Sequence, residues 1–277
     1  MKIFADGGAT KINWRFVEEG KIVKQLFTLG ANPYNRAIES INDEWRIKLK
    51  PEVGDSHVEG VFFFGAGCAF PDKNKMIRDA IANNINTSVI EVGSDLLAAA
   101  RGLCGHGRGI ACILGTGSNS CYCENGEIKE NVSPLGYVIG DEGSGSALGR
   151  LFLGACLKNR LTKGLKEEFL NEYNLTVSEI LDNIYKKPMA NKFLASFSPF
   201  ILRNINNPAV YNLVYNSFKD FFNYNVMQYD YKNNTAHLTG SVAYYYQDII
   251  RKVAEDTGVK TGVITQSPMN GLVKYYS

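Results

Sequence analysis

The sequence predicts an α/β protein made of two matching halves, and three observations predict it. Short apolar strands alternate with amphipathic helices through the first third, in the order β-β-β-α-β-α-β-α. A strand, a glycine-rich polar turn and a second strand open that third, and the same series restarts at Gly109. At 277 residues the chain is long enough for two domains of ordinary size. There is no short repeat of the solenoid kind, so the restart reads as a duplicated core.

Each element follows from its pattern. Residues 2–6, 13–17 and 22–29 are strand-like, with turns at Gly7-Gly8 and Glu19-Gly20. Residues 34–50 repeat Ala37, Ile38, Ile41, Trp45 and Leu49 on one helical face. Residues 58–64 form a continuous apolar run, as a buried strand requires. A helix over 74–83, a strand over 88–92 and an Ala-rich helix over 95–103 complete the first domain. The segment 102–109 holds four glycines and marks the boundary, giving domains at 1–105 and 106–265. The second half opens with a strand over 109–114, then a hairpin of 120–123 and 127–129 around Glu124-Asn125-Gly126. It then turns helical, with 146–158 alternating small and bulky residues. Thr176-Val177-Ser178-Glu179 reads as a capping box, and 209–227 as a long amphipathic helix. A strand over 236–238, a helix over 241–256 and a strand over 262–265 follow. The tail, 266–277, reads as a short helix that returns to the first domain.

Composition narrows the function classes. Hydrophobic residues make up 45% and charged residues 21% of the chain, which describes a globular protein with a sizeable core. A net charge of +2 gives no general electrostatic case for nucleic acid or an anionic membrane. No apolar run approaches a membrane span, and no charged-then-apolar leader precedes the first strand, so a cytoplasmic location is expected. The six cysteines form no CxxC pair and read as reduced thiols, with Cys121 and Cys123 on one face of a strand. The three histidines are scattered without metal-ligand spacing.

Candidate chemical groups fall where strands end, as they do in ligand-binding α/β sheets. Asp6-Gly7-Gly8-Ala9-Thr10-Lys11 follows the first strand. Glycines there let backbone N–H groups approach an anion, and Asp6 offers a carboxylate for a hydrated Mg²⁺. A tight hairpin turn explains the same residues without a ligand. Asn32 follows the third strand, Ser94-Asp95 the strand over 88–92, and Thr116-Gly117-Ser118-Asn119 the strand over 109–114. Gly240-Ser241 follows the strand over 236–238, and Asp141-Glu142 sits at a loop-to-helix junction. Each also suits a helix start: Asn32-Pro33 as cap and first position, Ser94 and Ser241 as caps, the acids for the helix dipole.

Four ordered motifs carry a resemblance. Asp6-Gly7-Gly8-Ala9-Thr10-Lys11, Gly115-Thr116-Gly117-Ser118-Asn119, Gly140-Asp141-Glu142-Gly143-Ser144 and Thr239-Gly240-Ser241-Val242 span nearly the whole chain. Together they resemble the N-acetylglucosamine kinase and BadF/BadG ATPase group of the sugar kinase–actin–Hsp70 superfamily. The resemblance implies two ribonuclease-H-like domains, with ATP and Mg²⁺ in the cleft between them, and a tail returning to the first domain. It implies a phosphate-binding role for Asp6, Gly7, Gly8, Thr10, Lys11, Thr116, Gly117 and Ser118, with Asp6 facing the metal through water. Gly240 and Ser241 match the adenosine motif, Asp95 the catalytic Asp, and Asn32, Asn119, Asp141 and Glu142 positions near the sugar. Ala9 stands where a third glycine is common, Asn13 replaces a small hydroxyl residue, and Ser241 replaces a second glycine.

The implied reaction moves the ATP γ-phosphoryl to a hydroxyl of N-acetylglucosamine or N-acetylmuramic acid, with Asp95 orienting that hydroxyl and accepting its proton. The helix N-terminus expected at Asp95 would stabilise its carboxylate and weaken it as a base. A small-molecule sugar is thus the expected partner, and a homodimer fits the resemblance. Two other classes stay open. One is an ATPase activator with an iron–sulfur cluster, for which Cys68 and Cys104 are the only pair to consider. The other is a catalytically silent sugar or nucleotide sensor.

Overall fold

The computed structural model describes residues 1–8, 11–34, 36–54 and 58–277; Ala9, Thr10, Asn35, Asp55, Ser56 and His57 lie outside it. Its contacts divide the chain into two units, residues 1–106 with 268–277, and residues 107–267.

In the first unit β1 (Lys2–Gly7), β2 (Lys11–Glu18), β3 (Lys21–Leu29), β4 (Gly60–Gly65) and β5 (Ile90–Gly93) form one sheet in the order β3-β2-β1-β4-β5. β1, β2 and β3 run antiparallel, and β4 and β5 join in parallel. The continuous apolar reading of β4 is explained by burial of every residue from Gly60 to Gly65. One face of the sheet packs Trp14 and Phe63 against Trp45 of the helix Ile38–Lys48, the two indoles meeting edge-on at 5.1 Å. The other face packs Phe4, Phe62 and Phe64 on Met269, Leu272 and Val273 of the tail helix Met269–Tyr275. Polar contacts tie that tail down. The Tyr276 hydroxyl donates to Glu91 at 2.7 Å, Arg101 lies between Glu91 and Tyr276, and Lys2 donates to the Tyr276 carbonyl at 2.6 Å.

The second unit repeats the plan. β6 (Arg108–Leu114), β7 (Ser118–Glu124), β8 (Glu127–Val132), β9 (Ala236–Thr239) and β10 (Thr261–Thr265) are ordered β8-β7-β6-β9-β10. Again the first three are antiparallel and the last two parallel. Residues 133–235, between β8 and β9, hold the helical insertion. Its helices, with Gln247–Thr257 after β9, bury Phe152, Phe169, Phe200, Phe218 and Phe221 against one face of the sheet. Cys121 and Cys123 are fully buried, as their shared strand face implies.

Several elements differ from the sequence reading. The helix expected from residue 34 starts at Ile38, because Asn32-Pro33 makes a turn instead of a cap: Asn32 Oδ1 accepts from Tyr34 N at 3.0 Å. The helix expected over 241–256 is two, Ser241–Tyr245 and Gln247–Thr257, joined at Tyr246. The capping box is present as read: Thr176 Oγ1 accepts from Glu179 N at 3.2 Å, and Glu179 accepts from Thr176 N at 2.8 Å. Among the described residues no helix is long and apolar enough to cross a membrane.

Candidate functional site

In the first unit, Asp6 sits near the end of β1, paired with Asn13 of β2 and Phe64 of β4. Strand alternation puts its side chain on the same face as Phe4, and Arg15, opposite Phe4, interacts with it electrostatically. Arg15 in turn donates to Asn270 of the tail helix at 2.9 Å. Gly7 is a close-contact position, since a Cβ there would meet the Phe63 ring at 2.9 Å. Lys11 opens β2 with its ammonium 4.9 Å from the Phe27 ring centroid. Thr10, assigned to the same turn, lies outside the described residues.

A second cluster gathers after β4. Gly67 holds a left-handed φ of +86°, and a Cβ there would strike Asn32 Oδ1 at 2.5 Å, so the amide lies flat on this turn. The next residue, Cys68, interacts with the carboxylate of Asp95. The structure thus brings Asn32 and Asp95 to one short segment, Gly65 to Cys68, that the sequence reading passed over. The signal was a Gly-x-Gly directly after the buried run of β4.

Asp95 opens the helix Asp95–Cys104, whose N-cap Ser94 accepts from Leu97 N at 3.1 Å. Leu96 N donates to Asp95 Oδ1 at 2.9 Å. Solvent reaches the residue, yet the protein around its carboxyl raises its pKa by desolvation, against the pull of those backbone N–H groups. The residue itself is exposed, so solvent moderates that rise. The expected weakening of this base is therefore corrected: desolvation outweighs the helix terminus and makes Asp95 a stronger base. Burial, followed by the charge of Asp95, pushes the Cys68 thiol up to about 12. Cys68 is buried and Cys104 half-buried.

In the second unit the turn after β6 is tied to the helix Gly145–Leu157. Gly145 N donates to Gly115 O at 2.8 Å and Ser146 N to Thr116 O at 3.0 Å. Ser144 caps that helix by accepting from Ala147 N at 3.1 Å. Ser118 is buried, and its N–H donates to Asp141 Oδ1 at 3.2 Å, while Gly117 leaves only 3.0 Å between a would-be Cβ and that carboxylate. Asp141 thus faces the turn after β6. It does so from a left-handed backbone, φ 55°, fixed by its N–H to Pro134 O at 2.9 Å and by Ser144 N to its own carbonyl at 3.1 Å. Desolvation raises its pKa, the Ser118 N–H lowers it, and Glu142 raises it again. Glu142 accepts from Asn225 Nδ2 at 3.4 Å. Asn119 is occupied within the sheet, accepting from Ser120 N at 2.9 Å and Asn131 Nδ2 at 3.0 Å.

Gly240 closes the arrangement. Its φ is +113°, and a Cβ would lie 2.3 Å from Leu114 O, so only glycine lets the turn after β9 touch the end of β6. Beside it opens a cavity of about 500 Å³ whose wall includes Gly115, Thr116, Ser198, Arg203, Ser241 and Tyr245. Gly145 and Gly149, one helical turn apart, admit the far wall: Leu194 O would stand 2.0 Å from a Cβ at 149, and Ser198 Oγ 3.1 Å from one at 145. The sequence reading placed Gly240 and Ser241 here but missed Ser198, Arg203 and Tyr245. Only the small residues at 145 and 149 hinted at a close neighbour.

The residues fit a nucleotide. The cavity suits a purine and ribose in size, its wall contains a buried hydroxyl without a partner, Ser198 Oγ, and its edge is the Gly115–Thr116 turn. No group of three or more His, Cys, Asp or Glu among the described residues is arranged to hold a metal alone.

No protein-family model matches the chain, and no curated protein matches it. Solved structures do. A Porphyromonas gingivalis protein described as a "putative N-acetylglucosamine kinase" is 46% identical, with a TM-score of 0.95, over 100% of this chain and 98% of its own. A Chromobacterium violaceum protein with the same description is 16% identical, with a TM-score of 0.76, over 100% and 98% of the two chains. A Listeria monocytogenes protein described as a "putative N-acetylmannosamine kinase" is 15% identical, with a TM-score of 0.52, over 99% and 98%. The last two show the fold, an α/β pair of ribonuclease-H-like sheets of the actin-like ATPase type. The first, full-length and well above the identity at which families diverge, shows more: the chain belongs to the N-acetylglucosamine kinase family of the sugar kinase–actin–Hsp70 superfamily.

Proposed function

We propose that the protein is an ATP-dependent kinase that phosphorylates a hydroxyl of an N-acetylated amino sugar, N-acetylglucosamine or N-acetylmuramic acid. The observation that carries this reading is the purine-sized cavity bordered by the glycine turn at Gly115 and by Ser241. A site so built takes a base and ribose and leaves the phosphates on backbone N–H groups. The family likeness supports an amino sugar as the acceptor.

In this reading Thr116, Gly117 and Ser118 hold phosphate oxygens, and Asp141 fixes the turn by accepting from Ser118 N. Gly7, Gly8, Thr10 and Lys11 of the first unit are assigned to phosphate oxygens, with Asp6 toward the magnesium. ATP with Mg²⁺ supplies the phosphoryl group and neutralises its charge. Asn32, Asn119 and Glu142 orient the sugar. Asp95 aligns the attacking hydroxyl and takes its proton, and desolvation suits it to that task by raising its pKa. Positioning matters most, because phosphoryl transfer passes through a loose transition state.

An ADP-release assay with ATP and Mg²⁺ across N-acetylglucosamine, N-acetylmuramic acid, N-acetylmannosamine, glucosamine and glucose tests the reading. An N-acetylated sugar is expected to give the highest kcat/KM. Turnover equal for glucose and the acetylated sugars would refute the amino-sugar assignment.

A further inference from the structure

We infer that Tyr34 is the platform of the sugar site: its exposed ring takes the C–H face of a pyranose whose hydroxyls Asn32 and Asp95 hold. This rests on the assignment of Asn32 and Asp95 to the sugar.

A pyranose carries its hydroxyls around its rim, while its faces are made of C–H bonds. A site for it needs a few placed donors and acceptors and a flat apolar surface. The polar groups are present in the first unit. Asn32 Oδ1 is spent on Tyr34 N at 3.0 Å, which leaves Nδ2 to donate. Asp95 spends Oδ1 on Leu96 N at 2.9 Å, and its ionised carboxylate only accepts. A donor and an acceptor against one segment, Gly65 to Cys68, suit hydroxyls, which do both.

The flat surface is Tyr34. It stands two residues after Asn32, so the turn that fixes the amide also fixes the base of this ring. The residue is 59% exposed, and Lys73 Nζ lies over its ring, 5.1 Å from the centroid. Lys73 belongs to the first turn of the helix Pro71–Ala82, which begins just beyond the same segment. Residues 65–73 thus meet all three side chains: Gly67 touches Asn32, Cys68 interacts with Asp95, and Lys73 covers Tyr34. Asp72 lies 3.5 Å from the Lys73 ammonium, so that charge is already answered, and Lys73 braces the ring instead of calling for an anion. A cation on one face leaves the other open, and the negative face of an aromatic ring attracts the positive C–H groups of a sugar. Among the described residues of this unit the exposed aromatics are Phe27, Tyr34 and Phe70, and two of these three border the segment.

Isothermal titration calorimetry of the whole protein with N-acetylglucosamine and with N-acetylmuramic acid, beside steady-state kinetics on the better of the two, tests this. Tyr34→Ala is expected to raise the Kd and KM for the sugar about tenfold, the worth of one aromatic contact and the area it covers. The KM for ATP is expected to stay within about twofold, because the ring does not serve the nucleotide. The melting temperature is expected to stay that of the parent, because the ring is exposed. Tyr34→Phe keeps the platform and is expected to bind sugar within about twofold of the parent. Lys73→Ala, which frees the ring, is expected to cost about threefold in sugar affinity. A sugar KM unchanged in Tyr34→Ala, or a loss that Tyr34→Phe shares in full, would overturn the inference while leaving the kinase reading intact. Binding and phosphorylation of neither sugar by the parent would overturn the amino-sugar reading, and the inference with it.

Discussion

The two sheets share one strand order and one pairing scheme, yet each provides a carboxylate for its glycine turn by a different route. In the first unit the acid is part of the strand: Asp6 belongs to β1 itself, with Arg15 on the same face. In the second unit β6 ends at Leu114, and the acid arrives from a later loop. There Asp141 reaches back to Ser118 N from a left-handed backbone. The frame was repeated and the chemistry was added locally. Insertion made the larger difference: the helices after β8 enclose the cavity, whereas the segment between β3 and β4 supplies helices that serve the core.

The largest expected effect lies in the first unit. Asp95→Asn should lower turnover about 10²-fold or more, the scale of a positioned acid–base group. The same variant should melt at a higher temperature than the parent at neutral pH. The folded carboxyl has a raised pKa, so folding favours its proton. Stability is lost as pH rises from the unfolded value, about 3.9, through the folded one, and asparagine escapes that loss. The gain in melting temperature should therefore shrink below about pH 4. Unchanged phosphorylation by this variant would remove Asp95 from the mechanism.

Next come the glycines. Gly240→Ala places a methyl 2.3 Å from a backbone carbonyl at a φ of +113°, where neither partner gives way. Destabilisation of about 3 kcal/mol by urea denaturation is expected. Gly7→Ala meets Phe63 Cζ at 2.9 Å and backbone atoms no nearer than 3.1 Å, without the left-handed φ of Gly240. A cost nearer about 1 kcal/mol is expected there. Equal costs would mean that the ring at Gly7 is held as firmly as the carbonyl at Gly240, and the contrast between the two turns would fall.

The smallest effect separates charge from shape at Asp141. Asp141→Ala leaves Ser118 N without its acceptor and should raise the KM for ATP about tenfold, the value of one buried hydrogen bond to a charged group. Asp141→Asn keeps an acceptor oxygen and should stay within about threefold of the parent. If both variants lose activity alike, the negative charge of Asp141 acts directly on the reaction.

Much of this was legible in the sequence because it rests on local pattern. The buried run of β4, the hairpin at Asn125-Gly126 and the box at Thr176 each declare themselves within a few residues. The strand-end positions Asp6, Asp95, Thr116 and Gly240 follow from the same punctuation. Asn32-Pro33 misled because a turn and a helix cap use the same side-chain bond to nearby N–H groups. The cavity wall was not legible. Ser198 and Arg203 lie on a short helix of ordinary composition, Ser198–Arg203, and Ser198 meets Gly145 only through tertiary packing. The raised pKa of Asp95 was hidden for the same reason, since desolvation depends on atoms distant in sequence.

The central claim is that a phosphoryl group passes from nucleotide to sugar. Incubation with N-acetylglucosamine, ATP and Mg²⁺, followed by phosphorus NMR and mass spectrometry of the products, tests it most directly. One sugar phosphate formed for each ADP is the result expected. ADP accompanied by inorganic phosphate, with the sugars of the panel unmodified, would contradict it.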